Sequence, residues 1–428
     1  MAKLNLHQDE LLSRLKRGTA TMLEIVRRPP GTEFRNPNAP RLSATDLVDN
    51  LIDRAIARRA SDIHFQPATD GLLVRFRIDG LLQHATTIPV GERAAVLSRV
   101  KIMANLDIAE HRLPQDGRIH LVRGTRALDV RASSVPSLHG EKLVLRLLDL
   151  DGVSIPLPSC GLAADHLATL QSVMRRPQGA IFVTGPTGSG KTSTIYACLN
   201  AIKAETTNIV TIEDPIEYEL NGITQIAVHE KIGLTFASCL RSVLRQDPDV
   251  ILVGEVRDME TARIAMQASL TGHLLFATLH TNDAIGAITR LADMDVPRYL
   301  IASSLSAVVS QRLVRRLCVA CKQATAADAE TQMMAGSDDP LMIYRAVGCK
   351  ACNGTGVVGR TAIFEMVPIT EELRTLINDR ASDPELRACA RRDGARSLFQ
   401  DGFQKVVDGI IALEELKRVA EPDAAAVV

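Results

Sequence analysis

Residues 180–184, AIFVT, form a short apolar run suited to a buried strand, and Gly185-Pro186-Thr187-Gly188-Ser189-Gly190-Lys191-Thr192 follows at once. This constrains the fold more than any other feature. The octet matches the phosphate-binding loop pattern in full. Its glycines let the backbone bend so that successive N–H groups point at a β-phosphate. Lys191 is placed to reach β/γ oxygens, and the Thr192 hydroxyl to hold Mg²⁺. The following helix aims its positive end at the phosphates. About one random chain in a hundred would carry the pattern by chance. Its place between an apolar strand and a helical stretch makes chance rarer still. From about residue 165 the chain alternates helix, strand, glycine loop, helix, strand. That order predicts an α/β fold, a mostly parallel sheet with helices on both faces.

Acidic groups with the right chemistry follow. Val250–Val253 reads as a four-residue strand ending at Gly254-Glu255. A carboxylate at such a strand end suits the Mg²⁺ water shell, so Glu255 is a candidate. Asp249 precedes that strand and reads as a cap. A second cluster, Glu213-Asp214-Pro215-Ile216-Glu217, follows the strand at 209–212. Glu217 and Glu213 are both candidates to orient an attacking water, or are solvated loop carboxylates. His273 and His280 bracket another strand, LLFATLH. They read equally as packed core residues or as γ-phosphate sensors.

Composition excludes several classes. Lys+Arg and Asp+Glu are 50 each, so the net charge is zero and no basic footprint for nucleic acid exists at the whole-chain level. Aromatics are 3% with no Trp, too few for a base-stacking platform. No run of about 18 apolar residues predicts a membrane span. The N-terminus turns polar too soon for a secretory signal, so a cytoplasmic protein is expected, peripherally associated with the inner membrane. The length of 428 residues predicts two to four domains at roughly 100–200 residues each.

The eight cysteines include two CxxC pairs, Cys318/Cys321 and Cys349/Cys352. Four thiolates so spaced suit tetrahedral Zn²⁺, each tight turn giving two ligands. Residues 322–348 then form an excursion. Redox-active thiols are the alternative, and two pairs suit that poorly.

The expected organisation has six parts. Residues 1–40 form a mildly basic helical arm and linker. Residues 41–150 form an α+β domain, with Ser43 capping its first helix and alternating strands in SDIHFQP and LLVRFRIDG. A linker covers 151–158. An ATPase domain covers 159–314, a zinc-binding subdomain 315–358 and a helical subdomain 359–428.

These blocks together resemble the secretion-type ATPases of type II secretion and type IV pilus assembly, the GspE/PilB type. The Walker A box is GPTGSGKT and the Asp box TIEDPIE. Walker B is RQDPDVILVGEVRD and the His box TGHLLFATLHTN. The N-terminal half matches through ASDIHFQP, RFRIDG, PQDGRI and SLHGEKLVLRLLD. The resemblance runs from about 43 to 420. It implies a hexamer of RecA-like P-loop motor domains, each preceded by a PAS-like N2 domain. It implies ATP and Mg²⁺ on Lys191 and Thr192, Glu255 as Walker B acid and Glu217 as water-orienting acid. His273 and His280 become the His-box pair. Arg131 and Arg146 match N2 arginines that close over the phosphates, and Arg241 and Arg245 a further basic pair of that site. The tetracysteine Zn²⁺ element belongs to the secretion and extension branch.

The function so implied is ATP hydrolysis powering type II secretion, through pseudopilus assembly on an inner-membrane platform. Pilus or DNA-uptake pseudopilus assembly is the alternative, and a nucleic-acid-dependent ATPase with a zinc ribbon a more distant one. Members of the secretion type usually carry a longer N-terminal docking domain; about 40 residues precede the N2 motifs here. The basic arm, residues 1–28, is an expected contact for a partner helix or an anionic membrane face.

Overall fold

The computed structural model describes residues 43–123, 126–149, 155–335 and 340–422. The expected helical arm, the first half of the linker at 151–158 and the extreme C-terminus lie outside them.

Helix α1, Ala44–Ala57, starts at Ser43, whose side chain accepts from the Asp46 N–H. Its Val48, Leu51, Ile52 and Ala55 recur at helical spacing and are buried. With α2, Val90–Met103, it covers one face of a six-stranded antiparallel sheet. The strands are β1 Ala60–Ala68, β2 Gly71–Ile78, β3 Leu81–Pro89, β4 Gln115–Arg123, β5 Arg126–Ser137 and β6 Gly140–Asp149, in spatial order 3-2-1-6-5-4. Residues alternate between a buried apolar face and a polar one, the period of a half-buried sheet. Ile63, Phe65, Val74, Phe76, Val130 and Leu143 fill the core. On the polar face, Arg118, Arg131, Arg146, Asp62 and Arg77 stand opposite one another in one row across β4, β5, β6, β1 and β2.

The second sheet has seven strands in order β15-β12-β7-β11-β10-β8-β9. They are β7 Gly179–Thr184, β8 Ile209–Glu213, β9 Thr224–Ala227, β10 Val250–Val253, β11 Leu274–Leu279, β12 Leu305–Leu317 and β15 Val357–Pro368. All pairs are parallel except β12 with β15. Every residue of β7, β8, β10 and β11 is buried, as a sheet covered on both faces requires. Along β7, Ala180 and Phe182 join one core while Ile181 and Val183 join the other. The first core packs under α5 Phe236–Val243, α6 Met259–Ala268, α7 Ala284–Asp293 and α8 Arg298–Ser304. The second packs under α3 Ala164–Met174 and α4 Lys191–Ile202.

β12 and β15 cross the expected boundaries at 314/315 and 358/359. Together they bracket the cysteine excursion, which adds β13 Gln323–Ala326, α9 Ala329–Ala335 and β14 Met342–Arg345. The residues from 357 to 368 form a strand because Ala362, Ile363, Phe364 and Met366 are buried in the sheet. Four helices follow: α10 Glu371–Asn378, α11 Asp383–Arg392, α12 Leu398–Val407 and α13 Leu413–Lys417. Among the described residues, no helix is long and apolar enough to cross a membrane.

Candidate nucleotide and metal sites

The loop at 185–190 leaves β7 and enters α4 directly. Gly185, Gly188 and Gly190 have φ of 143°, 79° and 91°, where a side chain is strained. Gly190 is the N-cap of α4, so the helix's free N–H groups begin inside the loop. The Lys191 ammonium folds over the loop backbone, donating to the Gly185 carbonyl at 2.7 Å and the Pro186 carbonyl at 3.2 Å. Burial pushes its pKa below the usual lysine value, with Glu255 opposing and Arg312 assisting that shift. The partners of Lys191 are thus two carbonyls of the loop itself.

Parallel strands put all their C-terminal ends at one edge, where open α/β sheets bind ligands. Glu255 arrives there because Gly254 N–H donates to Ile212 O at 2.8 Å and Val256 N–H to Thr278 O at 3.0 Å. Its carboxylate meets Arg257 Nε at 2.8 Å and His280 Nε2 at 3.2 Å. His280, just past β11, therefore sits on Glu255. His273 does not join it. It precedes β11, where its carbonyl accepts from Gly179 N–H at the opposite end of β7. Its Nδ1 lies 3.0 Å from Ala268 O. One chain does not bring the two histidines together.

The two Asp-box acids have different surroundings. Glu213 is 4% exposed and bound on all sides. It accepts from Tyr196 Oη, from Thr211 Oγ1 at 2.5 Å and from Gln225 Nε2 at 3.1 Å. It holds structure and is sealed from an attacking water. Glu217 is open, and Arg131 of the first sheet reaches it. One guanidinium nitrogen donates to Ile216 O at 2.8 Å and the other lies 3.5 Å from Glu217.

The other arginines of the expected phosphate clamp have partners elsewhere. Arg146 bonds Asp62 at 3.1 Å within its own sheet. Arg241 bonds Glu260 at the start of α6, and Arg245 turns back to the Arg241 carbonyl at 2.8 Å. Arg146 and Arg241 pair with an acid on a neighbouring element, and Arg245 with a carbonyl one turn back.

Sequence reading missed Gln311 and Arg312 on β12. Gln311 bonds the loop and α4, and Arg312 Nη2 donates to Asn282 O at 2.7 Å. Their signal was a polar pair inside the apolar strand SAVVSQRLV.

The four cysteines meet although residues 322–348 separate the pairs. Cys318 and Cys349 Sγ are 3.9 Å apart, Cys321 and Cys352 3.8 Å, and Cys349 and Cys352 3.8 Å. All four sulfurs lie within 4.8 Å of one another. A tetrahedral ion with Zn–S bonds of about 2.3 Å holds its sulfurs about 3.8 Å apart, so the donor set fits. These contacts are nearly twice a disulfide bond of about 2 Å. Cys352 also accepts from the N–H groups of Cys349 and Gly356, both at 3.1 Å. Across from this cluster, Asp79 of the β2–β3 turn accepts from Gly359 N–H at 3.0 Å.

The family model described as "Type II/IV secretion system protein" matches residues 41–418. The chain is 49% identical over 373 residues to "Type II secretion system protein HxcR" of Pseudomonas aeruginosa, covering 87% of this chain and 76% of that protein. It is 47% identical over 377 residues to "Type II secretion system ATPase E" of Vibrio cholerae, covering 88% and 75%. The crystal structure of the pilus retraction motor PilT with bound ADP superposes with a TM-score of 0.60 at 28% identity, over 88% of this chain and 98% of that one.

Proposed function

The chain belongs to this type II/IV secretion family, and from that premise we propose that it is an ATPase motor that powers type II secretion as a homohexamer at the cytoplasmic face of the inner membrane. The observation that carries the reading is the convergence of Lys191, Glu255 and Glu217 on the C-terminal edge of one parallel sheet. Backbone bonds of Gly254 and Val256 carry Glu255 there, Lys191 folds onto the Gly185 carbonyl, and Arg131 lies against Glu217.

In this reading, residues 159–314 with β15 are the RecA-like motor and residues 41–150 the PAS-like N2 domain. Loop residues 185–190, Lys191 and Thr192 bind the nucleotide. Thr192 and Glu255 hold Mg²⁺, which supplies charge neutralisation on the phosphates. Glu217 orients water for attack on the γ-phosphorus, and His280 steadies Glu255. Arg131, already seated on the Asp box, tells the N2 domain what that box is doing. Arg146, Arg241, Arg245 and His273 act only when the N2 domain or a neighbouring subunit moves toward them. Cys318, Cys321, Cys349 and Cys352 hold a structural Zn²⁺ that folds the excursion and leaves no vacant position for catalysis.

The test is ATP turnover by the purified chain beside Lys191→Ala and Glu217→Gln, with mass measured by light scattering and zinc by elemental analysis. The expected result is turnover lost in both variants and one zinc per chain. Turnover that survives Lys191→Ala overturns the assignment. Zinc that survives Cys349→Ser with Cys352→Ser overturns the metal site. Rescue of secretion, but not of piliation, in strains lacking each motor separates the secretion reading from pilus assembly.

A further inference from the structure

Gln311 lies far downstream of the phosphate loop in sequence, yet beside it in the fold. β12 runs parallel to β7 with Ser310 opposite Thr184, so the next residue is level with Gly185. The Gln311 side chain is 1% exposed. Its Nε2 donates to the Ser189 carbonyl at 2.8 Å, and its Oε1 accepts from Thr194 Oγ1 at 2.8 Å. A carbonyl can only accept, so the Ser189 bond fixes which way the amide faces. Thr194 must then donate, and its hydroxyl is itself buried.

The loop glycines fit this side chain closely. A Cβ on Gly190 would stand 2.7 Å from Gln311 Nε2, and one on Gly185 2.6 Å from the Gln311 carbonyl. Two of the loop's glycines are therefore needed for contact with Gln311 as well as for their dihedral angles. One amide spans the last bend of the loop, at Ser189, and the first turn of α4, at Thr194. The N–H groups offered to a phosphate lie between those two points.

We propose that Gln311, with Thr194 as its fixed partner, is a positioning residue that presets the phosphate loop before nucleotide arrives. It touches no substrate atom; it acts by holding loop and helix in one geometry, so that binding does not have to order them. The inference rests on the loop being the nucleotide site.

The test is equilibrium binding of ADP with Mg²⁺ to the full chain, beside its melting temperature without nucleotide. The variants are Gln311→Glu, which loses the donor to Ser189, Thr194→Val, which loses only the hydroxyl, and Thr194→Ser, which keeps it. Gln311→Glu and Thr194→Val are expected to weaken ADP binding roughly tenfold, the worth of one buried hydrogen bond. Thr194→Ser is expected to bind like the parent, and the double variant Gln311→Glu/Thr194→Val to bind no more weakly than the worse single one. If Gln311→Glu fails to fold, the Thr194→Val and Thr194→Ser pair decides. Wild-type affinity in Thr194→Val, with Lys191→Ala still abolishing binding, overturns the inference alone. ADP binding indifferent to Lys191→Ala overturns the site reading and the inference with it.

Discussion

The two sheets place their functional side chains differently. In the antiparallel sheet one face is open, so Arg131 reaches the Asp box from the middle of β5. In the parallel sheet both faces of the central strands are covered, and the middles of β7, β10 and β11 are apolar. The candidate residues there lie past strand ends, with Glu255 and His280 in contact and Glu217 in the loop after β8. Gln311 is an exception that explains itself, since it stands where β12 runs past the end of β7. Covering a sheet on both faces costs it functional positions but fixes the remaining ones against a rigid edge.

Substitutions can break or sharpen this contrast. The largest effect is expected from Phe182→Ala, in the middle of fully buried β7. It should cost about 3–5 kcal/mol of stability by chemical denaturation, because the cavity cannot collapse between two packed layers. A loss under 1 kcal/mol would mean that the strand middles are not the scaffold described. Next is Glu255→Gln at the strand end. Turnover should fall about 10²–10³-fold with ADP affinity and melting temperature preserved. Smaller is Arg131→Ala on the open face, expected to lower turnover roughly tenfold through the lost bonds to Ile216 and Glu217. Arg146→Ala should change turnover less in the isolated chain, because Arg146 bonds Asp62 instead. Equal losses would show that both arginines already work together.

The smallest effects concern pH, and the sheets should respond with opposite sign. Burial would raise the Glu141 pKa, but bonds from Lys101, His111 and Ser134 hold it below the usual carboxylate value. The unfolded chain then binds the proton more readily, so this contribution is present above the ordinary carboxylate pKa and lost as pH falls below it. Glu365, buried on β15, is raised by desolvation, despite its bond from Ala284 N–H. Its contribution is present below the ordinary carboxylate pKa and lost as pH rises through its own. Melting curves against pH should show Glu141→Gln flattening the acid side and Glu365→Gln the side above it, by about 2–4 °C each. Identical profiles for the two variants would remove the distinction.

The sequence carried what is contiguous. A strand, its glycine loop and the next helix are one uninterrupted stretch, so Gly185 to Thr192 could be read as a cradle. The CxxC pairs likewise state their own chemistry. What could not be read was assembled by tertiary pairing. Glu213 and Glu217 look alike in sequence, and the donors Tyr196, Thr211 and Gln225 separate a sealed acid from an open one. His273 and His280 share a motif, but a six-residue strand carries them to opposite edges of the sheet. Arg131 and Arg146 are equivalent by charge and are cross-strand neighbours, yet only one faces the Asp box.

β12 has a consequence that neither site shows alone. It carries Gln311 in its middle and ends at Leu317, one residue before Cys318. From Gln311 to Leu317 is about 20 Å of continuous strand at about 3.3 Å per residue. The cysteine cluster and the glycine loop are thus two fittings on a single strand, paired with β15 from Ala307 to Arg315 and, past a break in register, at Leu317. Fraying that starts at the cysteines loosens the ladder from one end, and the grip on Ser189 lies further along the same ladder. The cysteine cluster and the glycine loop at 185–190 therefore share one ladder of backbone bonds, with β7 as a second support only at the loop end.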